Sequence, residues 1–91
     1  MSFFNNMKTL RKRIDKLDNK IIKILAKRMD VVTKIKEYKE KHNLPILDKK
    51  REVEMREFRQ KLAKKYNLKS SFLESLFQKI LLESKKKQKK T

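Results

Sequence analysis

An all-α fold of three helices, the first of them very long, is what this chain predicts, and three observations carry it. The 91 residues contain no Gly and one Pro, Pro45. Tight strand turns rely on Gly for positive φ, so a hairpin-rich β fold is disfavoured. An apolar heptad runs without a slip through Phe3–His42. Two N-cap signals then follow, at Asp48 and at Ser71.

The first helix is expected over about residues 3–42. Its seam reads Phe3, Met7, Leu10, Ile14, Leu17, Ile21, Ile24, Arg28, Val31, Ile35, Tyr38, His42, apolar at ten of twelve positions. Such a helix is about 60 Å long. The remaining residues of one chain are too few to wrap it, so the seam predicts pairing with a second copy. Pro45 is expected to end the segment, and residues 43–48 form a loop. Asp48 is placed as the cap of a second helix over about 49–66, carrying Met55, Phe58, Leu62 and Tyr66. Ser71 with Glu74 reads as a capping box for a third helix over about 71–88. Its stripe is Leu73, Phe77 and Ile80/Leu81, and like charges are expected to loosen its end within the basic stretch 85–91. The whole chain, 1–91, reads as one domain.

Composition narrows the function. Without Cys there are no disulfides, thiolate metal sites or cysteine nucleophiles, and without Gly no glycine-rich phosphate loop. His42 alone gives no imidazole set for a metal and argues against a Ser-His-Asp triad. No apolar run approaches a membrane span and the first residues lack a signal-peptide core, so a cytoplasmic protein is expected. The formal net charge is +17, spread as +8 over residues 1–45 and +9 over 46–91. That charge attracts anions, either nucleic acid or a small polyanionic metabolite.

The seam discriminates between them. Arg28 stands where an aliphatic side chain belongs, and a buried guanidinium needs an anion or a wet cavity. Lys39, eleven residues on, returns to within about 20° of the same face. On the third helix the stripe continues into Ser84 and Gln88, polar where apolar is expected. Each residue has a plainer structural explanation. Arg28 could set register, Lys39 could be a surface lysine and Asp48 an ordinary cap. Glu52 could pair with Arg56, and Ser84 and Gln88 could mark a dissolving helix end. Together they point to one polar pocket in a helical core.

Their order carries a resemblance. Leu10-Arg11-Lys12-Arg13-Ile14-Asp15-Lys16-Leu17-Asp18 resembles the opening L-R-x-x-I-D-x-L-D of the all-helical chorismate mutases. Ala26-Lys27-Arg28, Tyr38-Lys39, the run Leu44 to Glu52 ending D-x-x-R-E, and Leu76-Phe77 through Glu83-Ser84 and Gln88 resemble its later motifs. The similarity spans roughly Leu10 to Gln88.

The resemblance implies an intertwined homodimer that rearranges chorismate to prephenate for phenylalanine and tyrosine biosynthesis, without cofactor or metal. It implies that Arg11 and Arg28 clamp the carboxylates, and that Lys39 contacts the ether oxygen and a carboxylate. Gln88 would donate to the same ether oxygen. Glu52 and the Asp48 region would receive the ring hydroxyl, with Arg51 and Ser84 completing the pocket. Arg11 and Arg28 lie about 25 Å apart along one straight helix, so one ligand touching both requires Arg11 from the other chain. On length, a fused dehydrogenase, dehydratase or effector-binding domain is not expected within these 91 residues. Two alternatives stand beside this reading: an isochorismate pyruvate-lyase of the same fold, and a basic coiled coil that coats nucleic acid. The mutase reading expects neither a nucleic-acid nor a membrane partner.

Overall fold

The computed structural model describes residues 3–88, with side chains described from residue 6. Lys89, Lys90 and Thr91 of the expected basic tail, and the Phe3 side chain of the expected seam, lie outside that description. Three helices make up the architecture: α1 (Phe3–Lys41), α2 (Lys49–Lys65) and α3 (Ser70–Gln88), with no strand among the described residues. The all-α expectation, with one very long helix first, holds. The chain divides into two compact units, Met1–Val31 and Val32–Thr91.

The first unit is α1 up to Val31. Its heptad stripe stands open in the single chain: Leu10 is 47 % exposed, Ile14 57 %, Ile21 62 % and Ile24 65 %. Arg28 is half-buried, whereas Arg11 is exposed. At about 25 cal/mol per Å² of apolar surface, a row of uncovered isoleucines and leucines forgoes several kcal/mol of burial.

The second unit holds the end of α1 together with α2 and α3, the latter two packed on each other. Its buried residues are Val32, Ala63, Arg59 and Ser84, two of them polar. The least exposed face of α3 carries Leu73, Phe77, Ile80, Leu81, Ser84 and Gln88, the stripe that the sequence traced.

Helix ends in this glycine-free chain use asparagine. Asn43 (φ 54°) and Asn67 (φ 57°) adopt the left-handed conformation. Beyond them the Leu44 N–H donates to the Lys39 carbonyl and the Leu68 N–H to the Ala63 carbonyl, both at 2.8 Å. These six-to-one bonds satisfy carbonyls that a helix end otherwise leaves open. The stop of α1 is therefore made at Asn43, ahead of Pro45, which only bars resumption of the helix.

Asp48 caps α2 as expected: its backbone is extended, and its Oδ1 accepts from the Arg51 N–H at 3.1 Å. The capping box at Ser71 is corrected. Helix α3 begins one residue earlier, at Ser70, and the Leu73 N–H donates to the Lys69 carbonyl at 3.1 Å. Ser71 thus lies inside the helix, and the Glu74 carboxylate is engaged elsewhere, by Arg59. Helix α3 runs to Gln88, where the sequence placed its end, and the rest of the basic stretch lies outside the described residues. Side-chain anchors on Lys85, Lys86 and Gln88 oppose the like-charge repulsion there.

Candidate active site

Lys39 is the centre of the polar cluster. Near the C-terminal end of α1, its Nζ donates to the Ile46 carbonyl at 2.6 Å and to Gln88 Oε1 at 3.1 Å. Lys39 and Gln88 are 49 residues apart in sequence, and this bond brings together two residues singled out separately. An ammonium has three donors and no acceptor, so the Gln88 oxygen must face it. The Gln88 NH₂ is consequently turned to the other side of the amide, as a neutral donor. The bond to Ile46 ties the lysine to the loop after Pro45, which fixes where the charge sits.

Ser84 is 4 % exposed, and its hydroxyl donates to the Ile80 carbonyl one turn back, at 2.8 Å. This local bond lets a polar side chain remain on the least exposed face of α3. Asp48, beyond its capping bond, places the first turn of α2 so that Arg51 and Glu52 follow it. Arg51 is exposed and lies 3.8 Å from Glu54 on its own helix. Glu52 does not pair with Arg56; its Oε1 lies 3.0 Å from Lys85 Nζ on α3. Arg11 and Arg28 belong to the first unit, on α1.

Two residues outside the expected set shape this region. Arg59 is 5 % exposed and donates to both Glu74 oxygens, from Nε at 2.9 Å and from a terminal nitrogen at 3.1 Å. Its guanidinium also lies 5.2 Å from the centre of the Phe77 ring. Hydrogen bonding from Arg59 holds the Glu74 carboxyl below the usual glutamate range, against the opposing effect of burial, with the charges of Arg59 and Arg56 adding to it. The second residue, Lys85, was one tail lysine among several in the sequence. A cleft of about 220 Å³ opens between α2 and α3, with Glu52, Arg56, Arg59, Leu81 and Lys85 on its walls.

Arg59 carried a readable signal. It sits four residues after Met55 and three before Leu62, an apolar position by the same spacing that exposed Arg28. Lys85 carried none, since its partner lies on another helix.

The arrangement offers a fixed cation and a neutral donor side by side, with a hydroxyl and two acidic groups on the neighbouring turns of α2 and α3. Among the described residues no cluster of His, Cys, Asp and Glu is arranged to hold a metal ion, and no helix is long and apolar enough to cross a membrane. What the cluster can do is grip a polar anion and stabilise negative charge that develops beside Lys39.

Comparison with known proteins places the chain, as a whole, within a family. The model of chorismate mutase type II matches residues 10–89. A protein named chorismate mutase from Methanocaldococcus jannaschii is 36 % identical over 77 residues, 85 % of this chain and 77 % of its own length. A bifunctional chorismate mutase/prephenate dehydratase from Buchnera aphidicola is 43 % identical over 94 % of this chain, and a T-protein from Haemophilus influenzae is 34 % identical over 92 %. The chain spans only 22 % of each of those two longer relatives. A solved structure of a conserved hypothetical protein from Pyrococcus furiosus superposes with a TM-score of 0.70 at 38 % identity, over 98 % of this chain and all of the other. With its three helices and the match over residues 10–89, this chain belongs to the chorismate mutase type II family.

Proposed function

We propose that this chain rearranges chorismate to prephenate. The observation that carries the reading is the Lys39–Gln88 contact, an ammonium and an amide 49 residues apart in sequence and held 3.1 Å from each other. The reaction is a [3,3] shift within one molecule: the ether C–O bond breaks as a C–C bond forms. No proton moves and no nucleophile is required. What the protein must supply is confinement of a flexible dicarboxylate in its folded, reactive shape. It must also supply positive charge where the departing ether oxygen gains electron density.

Lys39 meets the second need through its ammonium, and the outward NH₂ of Gln88 adds a second donor to the same oxygen. Arg28 and Arg11 supply planar guanidinium forks suited to two carboxylates. Glu52 and the Asp48 turn accept from the ring hydroxyl. Arg51 and Ser84 complete the pocket.

The active form in this reading is a homodimer in the cytoplasm. The open stripe of α1 supports it, because a second copy of the same helix is the natural cover for a heptad of isoleucine and leucine. Arg11 then enters the site from the partner chain.

Loss of chorismate absorbance with purified protein, with prephenate identified as the product, tests the activity. Absence of turnover at micromolar enzyme, or release of pyruvate from isochorismate as the faster reaction, refutes it.

A further inference from the structure

We propose that Lys85 is a positioning residue for Glu52, holding that carboxylate in place and offsetting its charge so that a dianionic substrate with a free ring hydroxyl can bind; this rests on the chorismate mutase reading. Lys85 Nζ lies 3.0 Å from Glu52 Oε1, a bond between the first turn of α2 and the last turns of α3.

The contact differs from the surface pairs around it. Arg51–Glu54 and Lys86–Glu83 each join neighbours three residues apart on one helix, with every side chain more than half exposed. In Glu52–Lys85 the side chains are 39 % and 45 % exposed, and two helices are joined. Lys85 follows Ser84 directly and precedes Gln88 by three residues, so it flanks the polar stripe of α3.

Glu52 presents a difficulty to its own pocket. A hydroxyl acceptor is useful there, yet a full negative charge repels a ligand that carries two of its own. Lys85 resolves both sides of this. Its ammonium holds Oε1, which restricts a side chain with three rotatable bonds and leaves Oε2 to accept from a ligand hydroxyl. Its positive charge cancels the glutamate's at contact distance. Both residues stand on the wall of the open cleft between α2 and α3, so the pair forms at a solvent-accessible place.

A double-mutant cycle on chorismate turnover tests this, with circular dichroism and thermal melts run on every variant. Lys85→Met should raise KM about fivefold and leave kcat within about twofold, the scale of a partly exposed ion pair. Lys85→Arg should restore KM, since only charge and reach are needed. In a Glu52→Gln background, where no charge is left to offset, Lys85→Met should add less than about twofold. A KM unmoved by Lys85→Met overturns the proposal, as does the same fivefold rise in both backgrounds. A lowered melting temperature with unchanged KM assigns the pair to stability alone and overturns it too. A wild-type chain without turnover removes the chorismate reading, and this inference with it, before any variant is compared.

Discussion

Residues 1–31 and residues 32–91 solve the same problem in opposite ways. The first unit is one helix segment whose apolar stripe is open, with Ile14, Leu17, Ile21 and Ile24 all more than half exposed. The second draws its helices together through polar contacts, Arg59 to Glu74, Lys85 to Glu52 and Lys39 to Gln88. Apolar surface is non-directional and suits a seam that any matching copy can cover. Charged contacts are directional, and they suit a region that must hold particular atoms at particular distances. Phe58, Phe72 and Leu82 stay more than half exposed in the second unit as well, so what sets it apart is the charged contacts it adds.

The sharpest way to break this contrast is Arg28→Ala, the polar interruption of the otherwise apolar stripe. Turnover should fall by about a thousandfold while the protein stays helical, the scale for removing a key electrostatic contact. Near-normal rates in a folded variant would show that the first unit contributes scaffold only. Refolding Arg11→Ala together with Arg28→Ala should then recover about a quarter of wild-type activity, since half of the dimers are mixed and each has one intact site. Proven subunit exchange with no recovery would end the idea of a shared pocket.

Gln88→Glu addresses the second unit's donor. The introduced carboxyl can serve the ether oxygen only when protonated, so activity should fall well below wild type at neutral pH and rise as pH falls. A pH profile superimposable on wild type's would separate Gln88 from the chemistry.

Next in size is Arg59→Ala, which strands the Glu74 carboxylate and should cost about 3 kcal/mol. Arg59→Met, which keeps the bulk, together with Glu74→Gln should recover much of that loss. Because Glu74 titrates below the usual glutamate range in the folded protein, its contribution is present above the unfolded chain's value. It is lost as pH falls through the folded one. Melting temperature followed from pH 7 toward pH 3 should therefore drop more steeply for wild type than for Glu74→Gln. Smallest is Asp48→Ala, which removes the bond to the Arg51 N–H and should cost about 1 kcal/mol of stability.

The contrast also explains what could be read ahead of the structure. Periodicity exposed α1 because a seam of ten apolar positions repeats without error, and it exposed the polar ends of α3 because Ser84 and Gln88 continue an apolar stripe. Asp48 was legible because capping is local, its bond reaching only to Arg51. Ser71 and Glu74 misled for the same reason. The local pattern fitted a capping box, but Glu74 is drawn to Arg59, fifteen residues away, where two hydrogen bonds outweigh one turn of helix. Lys85 was hidden among the tail lysines because nothing within one helix distinguishes a lysine that crosses to another. Local order leaves a local signature, whereas an ion pair between elements shows only where, as at Arg59, a charge interrupts an apolar spacing.

The left-handed asparagines at 43 and 67 reach beyond the folded state. A glycine at either place would fit that geometry without strain but would let the denatured chain sample many more shapes. Asparagine accepts some backbone strain and keeps the disordered ensemble smaller. A polypeptide with no glycine at all therefore surrenders less freedom when it becomes ordered, which favours a small protein with so little buried interior of its own.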